Sequence, residues 1–228
     1  MTQVLELRSV SRVYDERHSS YHALHDASLT IDHGESVAVV GSSGSGKTTL
    51  LRIMGCLDFP TTGIVLIEGR DTRSIAKREL ALFRCLHMGF VFQHQTVVPR
   101  LTALDNVMIP GMVLGRPKRE LMDKAHELLG LVGLSHRVAA RGSRLSGGEQ
   151  QRVAIARALI NDQNIILADE PTGELDVENS AAVMEILMNI NKFVGSTVVY
   201  VTHNQKLARY AGRLITIRDG HVVGDFIG

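Results

Sequence analysis

Four apolar runs along the chain each stop at a glycine or a polar residue. Ser36–Val40 runs into Gly41, Met88–Phe92 into Gln93, Ile165–Ala168 into Asp169 and Glu170, and Thr197–Thr202 into His203. Such near-continuous runs, rich in β-branched residues, suit strands covered on both faces, as in a parallel sheet. Ligands gather at the carboxyl ends of strands in these sheets. The four polar stations therefore form a site hypothesis before any motif is considered. Shorter patterned stretches at Val4–Val10, Ala27–Ile31, Ile64–Glu68, Leu214–Arg218 and Val222–Ile227 predict further strands, with turns at Gly34, Gly69 and Gly220.

Between the second and third stations, over about residues 95–160, the period changes. Leu121, Leu128, Leu129 and Val132 recur at helical spacing behind Pro117, a residue suited to a helix start. Val183, Ile186, Leu187 and Ile190 make a similar stripe later, and both stripes are expected to face a core. The expected fold is a single α/β domain over 1–228. It has a parallel-sheet core, an antiparallel β subdomain and a helical subdomain inserted at about 95–160.

Charge and composition narrow the function by exclusion. With 25 basic and 24 acidic residues among 228, the net charge of +1 marks no general affinity for nucleic acid or acidic membranes. No apolar run approaches the roughly 18 residues of a membrane-spanning helix. The opening MTQVLELRSV lacks the basic and apolar regions of a secretory signal. A soluble, cytosolic chain is expected. Cys56 and Cys85 lack metal-ligand spacing and read as reduced, buried thiols.

The segment Gly41-Ser42-Ser43-Gly44-Ser45-Gly46-Lys47-Thr48 matches the phosphate-loop pattern in full, between a predicted strand and a predicted helix through Leu50, Leu51 and Ile53. Its glycines let successive backbone N–H groups point at phosphate oxygens, and the helix start adds partial positive charge. Lys47 reaches the β- and γ-phosphates, the Thr48 hydroxyl can ligate Mg²⁺, and Thr49 completes the nucleotide-binding run. The strand ending at Asp169 and Glu170 supplies the second half of a triphosphatase site. There Asp169 serves the magnesium shell and Glu170 orients or deprotonates the attacking water. ATP and Mg²⁺ are the expected ligands.

Leu145-Ser146-Gly147-Gly148-Glu149-Gln150-Gln151-Arg152 adds a second anion-binding helix start. Here the chain resembles the ATP-binding cassette family, whose signature reads LSGGQ or LSGGE, and phosphate loop, signature and acidic strand end fall in that family's order. The resemblance covers essentially all 228 residues. It implies a homodimer in which each ATP lies between one chain's phosphate loop and the other's Ser146, Gly147, Gly148 and Glu149. It also implies that Tyr14 stacks on adenine and Gln93 reaches Mg²⁺ and the water. His203 is implied to contact the γ-phosphate, and Asp176 to sit in the loop crossing the dimer interface.

The stretches Gly55-Cys56-Leu57-Asp58, Gly89–Gln93, Leu101–Val107 and Glu170–Gly173 resemble the lipoprotein-releasing and macrolide-efflux branch. That likeness implies a separate integral membrane permease, docked through the helical subdomain and the region near Gln93, with the ATPase on the cytoplasmic face of the membrane and export or extraction of a lipid, lipoprotein, peptide or drug. A non-transporting membrane signalling or cell-division complex is the alternative. Nucleic-acid partners are not expected. Two departures from the branch matter: Glu174 adds a negative charge near the expected dimer seam, and Gly142 stands where a proline often precedes the signature, implying a more flexible approach to Ser146.

Overall fold

The computed structural model describes residues 2–16, 19–94 and 96–227. The chain opens with β1 (Gln3–Glu16), β2 (Ser19–Asp32), β3 (Ser36–Val40) and α1 (Lys47–Met54). Then come β4 (Thr62–Ile67), β5 (Arg70–Asp71), α2 (Leu80–His87) and β6 (Met88–Val91). Three helices follow, α3 (Ala103–Val113), α4 (Lys118–Leu131) and α5 (Gly147–Arg157). The chain closes with β7 (Ile165–Asp169), α6 (Val177–Asn189), β8 (Thr197–Thr202), α7 (Gln205–Ala208), β9 (Arg213–Arg218) and β10 (His221–Ile227). Gln95, at the expected start of the helical subdomain, lies outside the described residues. No helix among the described residues is long and apolar enough to cross a membrane.

The four apolar runs are adjacent or near-adjacent strands of one six-stranded sheet, ordered β10-β9-β3-β8-β7-β6 and parallel except for β10 at the edge. A second, antiparallel sheet has the order β2-β1-β4-β5. Its β1–β2 hairpin runs well past the expected Val4–Val10 and Ala27–Ile31 stretches, out to Glu16 and Ser19. The apolar alternation fails to show this because the register shifts between Leu7 and Val10 and again on either side of Arg12, with Ser9 at φ 50.

Successive side chains of a strand face opposite sides of its sheet, and here each side has its own core. Val37, Val39, Ile165, Leu167, Val199 and Val201 pack with Leu50, Leu51, Ile53 and Met54 of α1 and with the antiparallel sheet. Ala38, Ile166, Ala168, Val198 and Tyr200 pack with the helices instead, among them Leu121, Leu128 and Leu129 of α4 and Val153, Ile155 and Ala156 of α5. The helices that begin at the two glycine-rich motifs thus lie on opposite faces of the parallel sheet. Both predicted helical stripes face the second core, and α6 gives way after Asn189 to a π-helical turn that ends at Gly195, φ 82. Cys56 is buried, which pushes its thiol up to about 11, whereas Cys85 is only half-buried; both are free.

Gly142 is a tight joint rather than a loose one. Its N–H donates to the Leu101 carbonyl at 2.9 Å, and that of Ser143 to Pro99 at 3.1 Å. A Cβ at Gly142 would meet Val97 Cγ1 at 2.7 Å and the Val98 carbonyl oxygen at 2.8 Å. The approach to Ser146 is therefore held by backbone packing that has no room for a side chain. Gly142→Ala is expected to lower stability by about 1–3 kcal/mol, the usual cost of overpacking, read as a lower urea midpoint; an unchanged midpoint contradicts this packing.

Candidate functional site

The loop from Gly41 to Gly46 leaves the carboxyl end of β3 and turns into α1 at Lys47. Gly44 and Gly46 take φ 76 and φ 105, and a Cβ on Gly46 would lie 2.3 Å from the Ala23 carbonyl oxygen, so glycine is required there on both counts. Helix α1 has no side-chain cap and no acidic residue in its first turn, which leaves its orphan N–H groups and partial positive charge available to an anion. The loop is anchored from behind, where Gly220 N–H donates to the Ser45 carbonyl and His25 N–H to that of Gly220. Ser45 Oγ is buried without a hydrogen-bond partner, while Ser42, Ser43 and Gly44 are exposed and Thr49 is half-buried. Lys47 is only 7% exposed and folds across the loop to donate to the Ser42 carbonyl at 2.7 Å. Burial lowers its pKa from the ordinary lysine value, and the nearby charges of Glu170 and Asp169 act against that shift.

The neighbouring strand ends converge on this loop. Thr48 Oγ1 donates to Asp169 Oδ1 at 3.1 Å. Burial raises the Asp169 pKa; the Thr48 hydrogen bond opposes it, and Glu170 adds a like charge. One hydroxyl and one partly desolvated carboxylate make a hard-oxygen pair suited to Mg²⁺, which takes few protein ligands and completes its shell with water and phosphate. No cluster of three His, Cys, Asp or Glu side chains among the described residues could hold a metal unaided, in keeping with that sparse donor set.

Glu170 sits at φ 45, a left-handed conformation costing a non-glycine residue roughly 1–2 kcal/mol. Its N–H is held to the Val201 carbonyl at 3.1 Å, and its Oε1 lies 2.8 Å from His203 Nδ1. The two strand ends β7 and β8 thereby join a carboxylate to an imidazole beside the phosphate loop. Gln93 leaves β6 exposed, with its amide packed on Gly173 at the spot a Cβ would occupy.

Tyr14 stands on β1 opposite Tyr21, whose hydroxyl donates to the Gly44 carbonyl at 2.8 Å, so its strand borders the phosphate loop. The Tyr14 hydroxyl donates to Asp58 Oδ2 at 2.6 Å, and the Arg12 guanidinium lies 4.3 Å from the ring centroid and pairs with Asp58. These two companions escaped sequence reasoning: Arg12 lies in a polar stretch without pattern, and Asp58 registers only as the end of Gly55–Asp58. A ring fixed at its hydroxyl and covered by Arg12 on one face can offer its other face to a planar ligand.

The second glycine-rich motif is built apart from all of these groups. Ser146 caps α5 in a reciprocal box with Glu149: Ser146 Oγ accepts from the Glu149 N–H, and Glu149 Oε2 accepts from the Ser146 N–H. That leaves the N–H groups of Gly147 and Gly148, in the first turn, without intrahelical acceptors. Asp176 caps α6 and binds the Asn179 side chain at 2.8 Å, and Asn179 Oδ1 lies 2.5 Å from where a Gly148 Cβ would stand. Asp176 and the α5 start thus form one packed unit. Glu174 is paired with His94 at 2.7 Å, next to the Gln93–Gly173 contact.

Comparison with known proteins gives the chain's family. Residues 24–173 match the family model described as ABC transporter. The chain is 46% identical over 225 residues to the lipoprotein-releasing system ATP-binding protein LolD of Geobacter metallireducens, covering 99% of this chain and 100% of that one. It is 47% identical over 224 residues to the macrolide export ATP-binding/permease protein MacB of Sodalis glossinidius, covering 98% of this chain and 34% of that one. The chain therefore spans about a third of the length of the MacB relatives it matches. Among solved structures, the bacterial ABC transporter cassette MJ0796, described as dimeric, superposes with a TM-score of 0.89 at 41% identity over 98% of both chains. A further structure of that cassette is described as a post-hydrolysis state bound to ADP and Pi.

The raised Asp169 pKa carries a stability consequence. Its native pKa lies above the unfolded value, so the ionised form weakens the fold, and this group's contribution to stability falls as pH rises through that interval. In the absence of nucleotide and metal, Asp169→Asn is expected to raise the thermal midpoint at pH 7, with the gain vanishing below the unfolded carboxylate range; a lower midpoint at pH 7 contradicts this.

Proposed function

The chain belongs to the ABC transporter family as one of its ATPase cassettes, and from that premise we propose that two copies close on two Mg·ATP and drive a separate membrane permease. One observation carries the two-chain reading. The phosphate loop opens a helix on one face of the parallel sheet, and the Ser146–Gly148 helix start belongs to the other face. A chain cannot fold its own signature over its own cradle with the sheet between their helices, whereas a second copy, related by a two-fold axis, can present one to the other in both directions at once. On this reading residues 1–228 act as a single cassette.

Each group has a part in hydrolysis. Gly41–Thr49 bind the phosphates, Lys47 exchanges the Ser42 carbonyl for β- and γ-phosphate oxygens, and Tyr14 stacks on adenine. Thr48, Asp169 and Gln93 would hold Mg²⁺, which would supply charge neutralisation at the phosphate oxygens. Glu170 orients a water in line with the γ-phosphorus and draws off its proton as the new P–O bond forms and the bond to ADP breaks. His203 fixes that carboxylate through the 2.8 Å contact and faces the γ-phosphate. Ser146, Gly147 and Gly148 of the partner subunit offset the charge from across the seam, and Asp176 holds the loop that crosses it. Loss of the bridging phosphate lets the pair open, so ATP acts as a ligand with strong preference for the closed form.

The docking surface is a groove of about 450 Å³ between α2 and α3, beside the segment that leaves β6 for Gln93. Apolar Leu57, Phe90, Phe92 and Val113 line it, with Leu57 42% and Val113 54% exposed. Arg84 and Arg157 also line it, and neither has a carboxylate within 4 Å among the described residues. Arg84 donates to the Cys56 carbonyl and Arg157 to the carbonyl and hydroxyl of Thr96, and burial lowers the Arg157 pKa. An amphipathic helix of the permease carrying a carboxylate complements that lining. The cassette then works peripherally on the cytoplasmic face of the membrane. Likeness to lipoprotein-release and macrolide-export proteins favours export or extraction of an amphipathic cargo: a lipid, lipoprotein, peptide or drug.

Glu170→Gln is expected to retain ATP binding and lose hydrolysis by about 10²–10⁴-fold; full turnover refutes the assigned role. Lys47→Ala is expected to lose nucleotide binding in calorimetric titration, and unchanged affinity refutes the cradle. Val113→Glu is expected to lose the permease from detergent extracts of membranes while binding ATP normally; undiminished recovery moves the docking site elsewhere.

A further inference from the structure

An ATP sandwich asks the α5 helix start to receive a γ-phosphate, yet its third position carries Glu149, an acid. The carboxylate cannot swing away, because the capping box holds Oε2 at 2.8 Å from the Ser146 N–H, and the side chain is only 17% exposed. An anion fixed in the first turn cancels the partial positive charge that makes a helix start attractive to phosphate. Arg137 answers it. Its Nη2 donates to Glu149 Oε2 at 3.2 Å and to the Arg144 carbonyl at 2.7 Å. Its Nε lies 3.0 Å from Oε1 but off the line of its own N–H, so that contact supplies charge rather than a hydrogen bond. Burial alone would push the Glu149 pKa up; the Ser146 N–H and Arg137 outweigh it and hold it below the ordinary carboxylate range. The acid is therefore ionised, capped and matched by one cation.

We propose that Arg137 is a positioning residue of the ATP sandwich: by neutralising Glu149 and tying down the Arg144 carbonyl ahead of Leu145, it makes the α5 start an acceptor for the partner subunit's γ-phosphate. Arg137 comes from the short turn after α4, and its side-chain partners are Glu149 and the Arg144 carbonyl, so it acts through Glu149. The inference rests on the two-chain reading of the signature given above. It predicts an asymmetry that a purely architectural role lacks. Without Arg137 the burden is the uncompensated charge of Glu149, and a glutamine there keeps the acceptor for the Ser146 N–H while removing that charge.

The test uses the full chain carrying Glu170→Gln, so that Mg·ATP persists, with dimerisation followed by sedimentation velocity at low and moderate salt. Arg137→Met is expected to weaken ATP-driven dimerisation at least tenfold, and adding Glu149→Gln to restore it to within about threefold of the parent. Arg137→Gln, with and without Glu149→Gln, repeats the comparison with a polar side chain, and thermal melts confirm folding. Arg137→Met dimerising like the parent overturns the proposal. So does an Arg137→Met/Glu149→Gln chain as weak as Arg137→Met, which would reduce the contact to scaffolding. Ser146→Arg separates this from the underlying reading: if that chain dimerises normally with ATP, the signature does not face nucleotide, and both readings fall together.

Discussion

The parallel sheet is the constraint on which the rest depends. Because side chains alternate across a strand, β3, β7 and β8 feed two cores, and each helix commits to one. Helix α1 takes one face with the antiparallel sheet, and α5 takes the other with α3, α4 and α6. The strand ends can therefore gather a phosphate loop, the Thr48–Asp169 pair and a carboxylate–imidazole pair, but the second glycine-rich helix start is held away from them. That separation, set by where the two cores lie, is what the proposed two-chain site rests on.

Within that frame the chemistry is preorganised at some conformational cost. Glu170 is kept in a left-handed conformation by its N–H bond to Val201 and by the contact with His203, both from the neighbouring strand end. Asp169 is kept partly desolvated, and Lys47 is buried against its own loop. Each arrangement carries a conformational or desolvation cost of the kind that gathers at functional sites, and the loop glycines and the uncapped start of α1 lie beside them. Phe92, the residue before Gln93, lines the groove between α2 and α3, so a segment seated there would adjoin the strand end that carries Gln93. His94 and Glu174 lie on the same line of contact, one residue beyond Gln93 and Gly173.

Much of this was legible from the sequence for physical reasons. Fully buried strands leave unbroken β-branched runs, and a phosphate loop has few alternatives to its glycine and lysine spacing, so four strand ends and the cradle could be placed from residues alone. The long β1–β2 hairpin could not, because bulges at Ser9 and Arg12 scramble its alternation. Nor could Arg12 and Asp58 around Tyr14, which are 46 residues apart and meet only through the antiparallel sheet. Gly142 was misleading: a missing proline suggests freedom, whereas the loop at Val97–Pro99 closes on it. Arg137 gives no sequence signal of its own, since its meaning depends on a carboxylate that is itself half of a capping box.

The central claim is that each nucleotide site is made from two chains, and mixing tests it most directly. One preparation carries Lys47→Ala, with its signature intact; the other carries Ser146→Arg, with its cradle intact. Each alone is predicted to be inactive, and ATP hydrolysis is predicted to appear only when the two are combined, because each mixed dimer then holds one complete site. Full activity of the Ser146→Arg chain alone, or a mixture as inactive as its parts, would contradict the account.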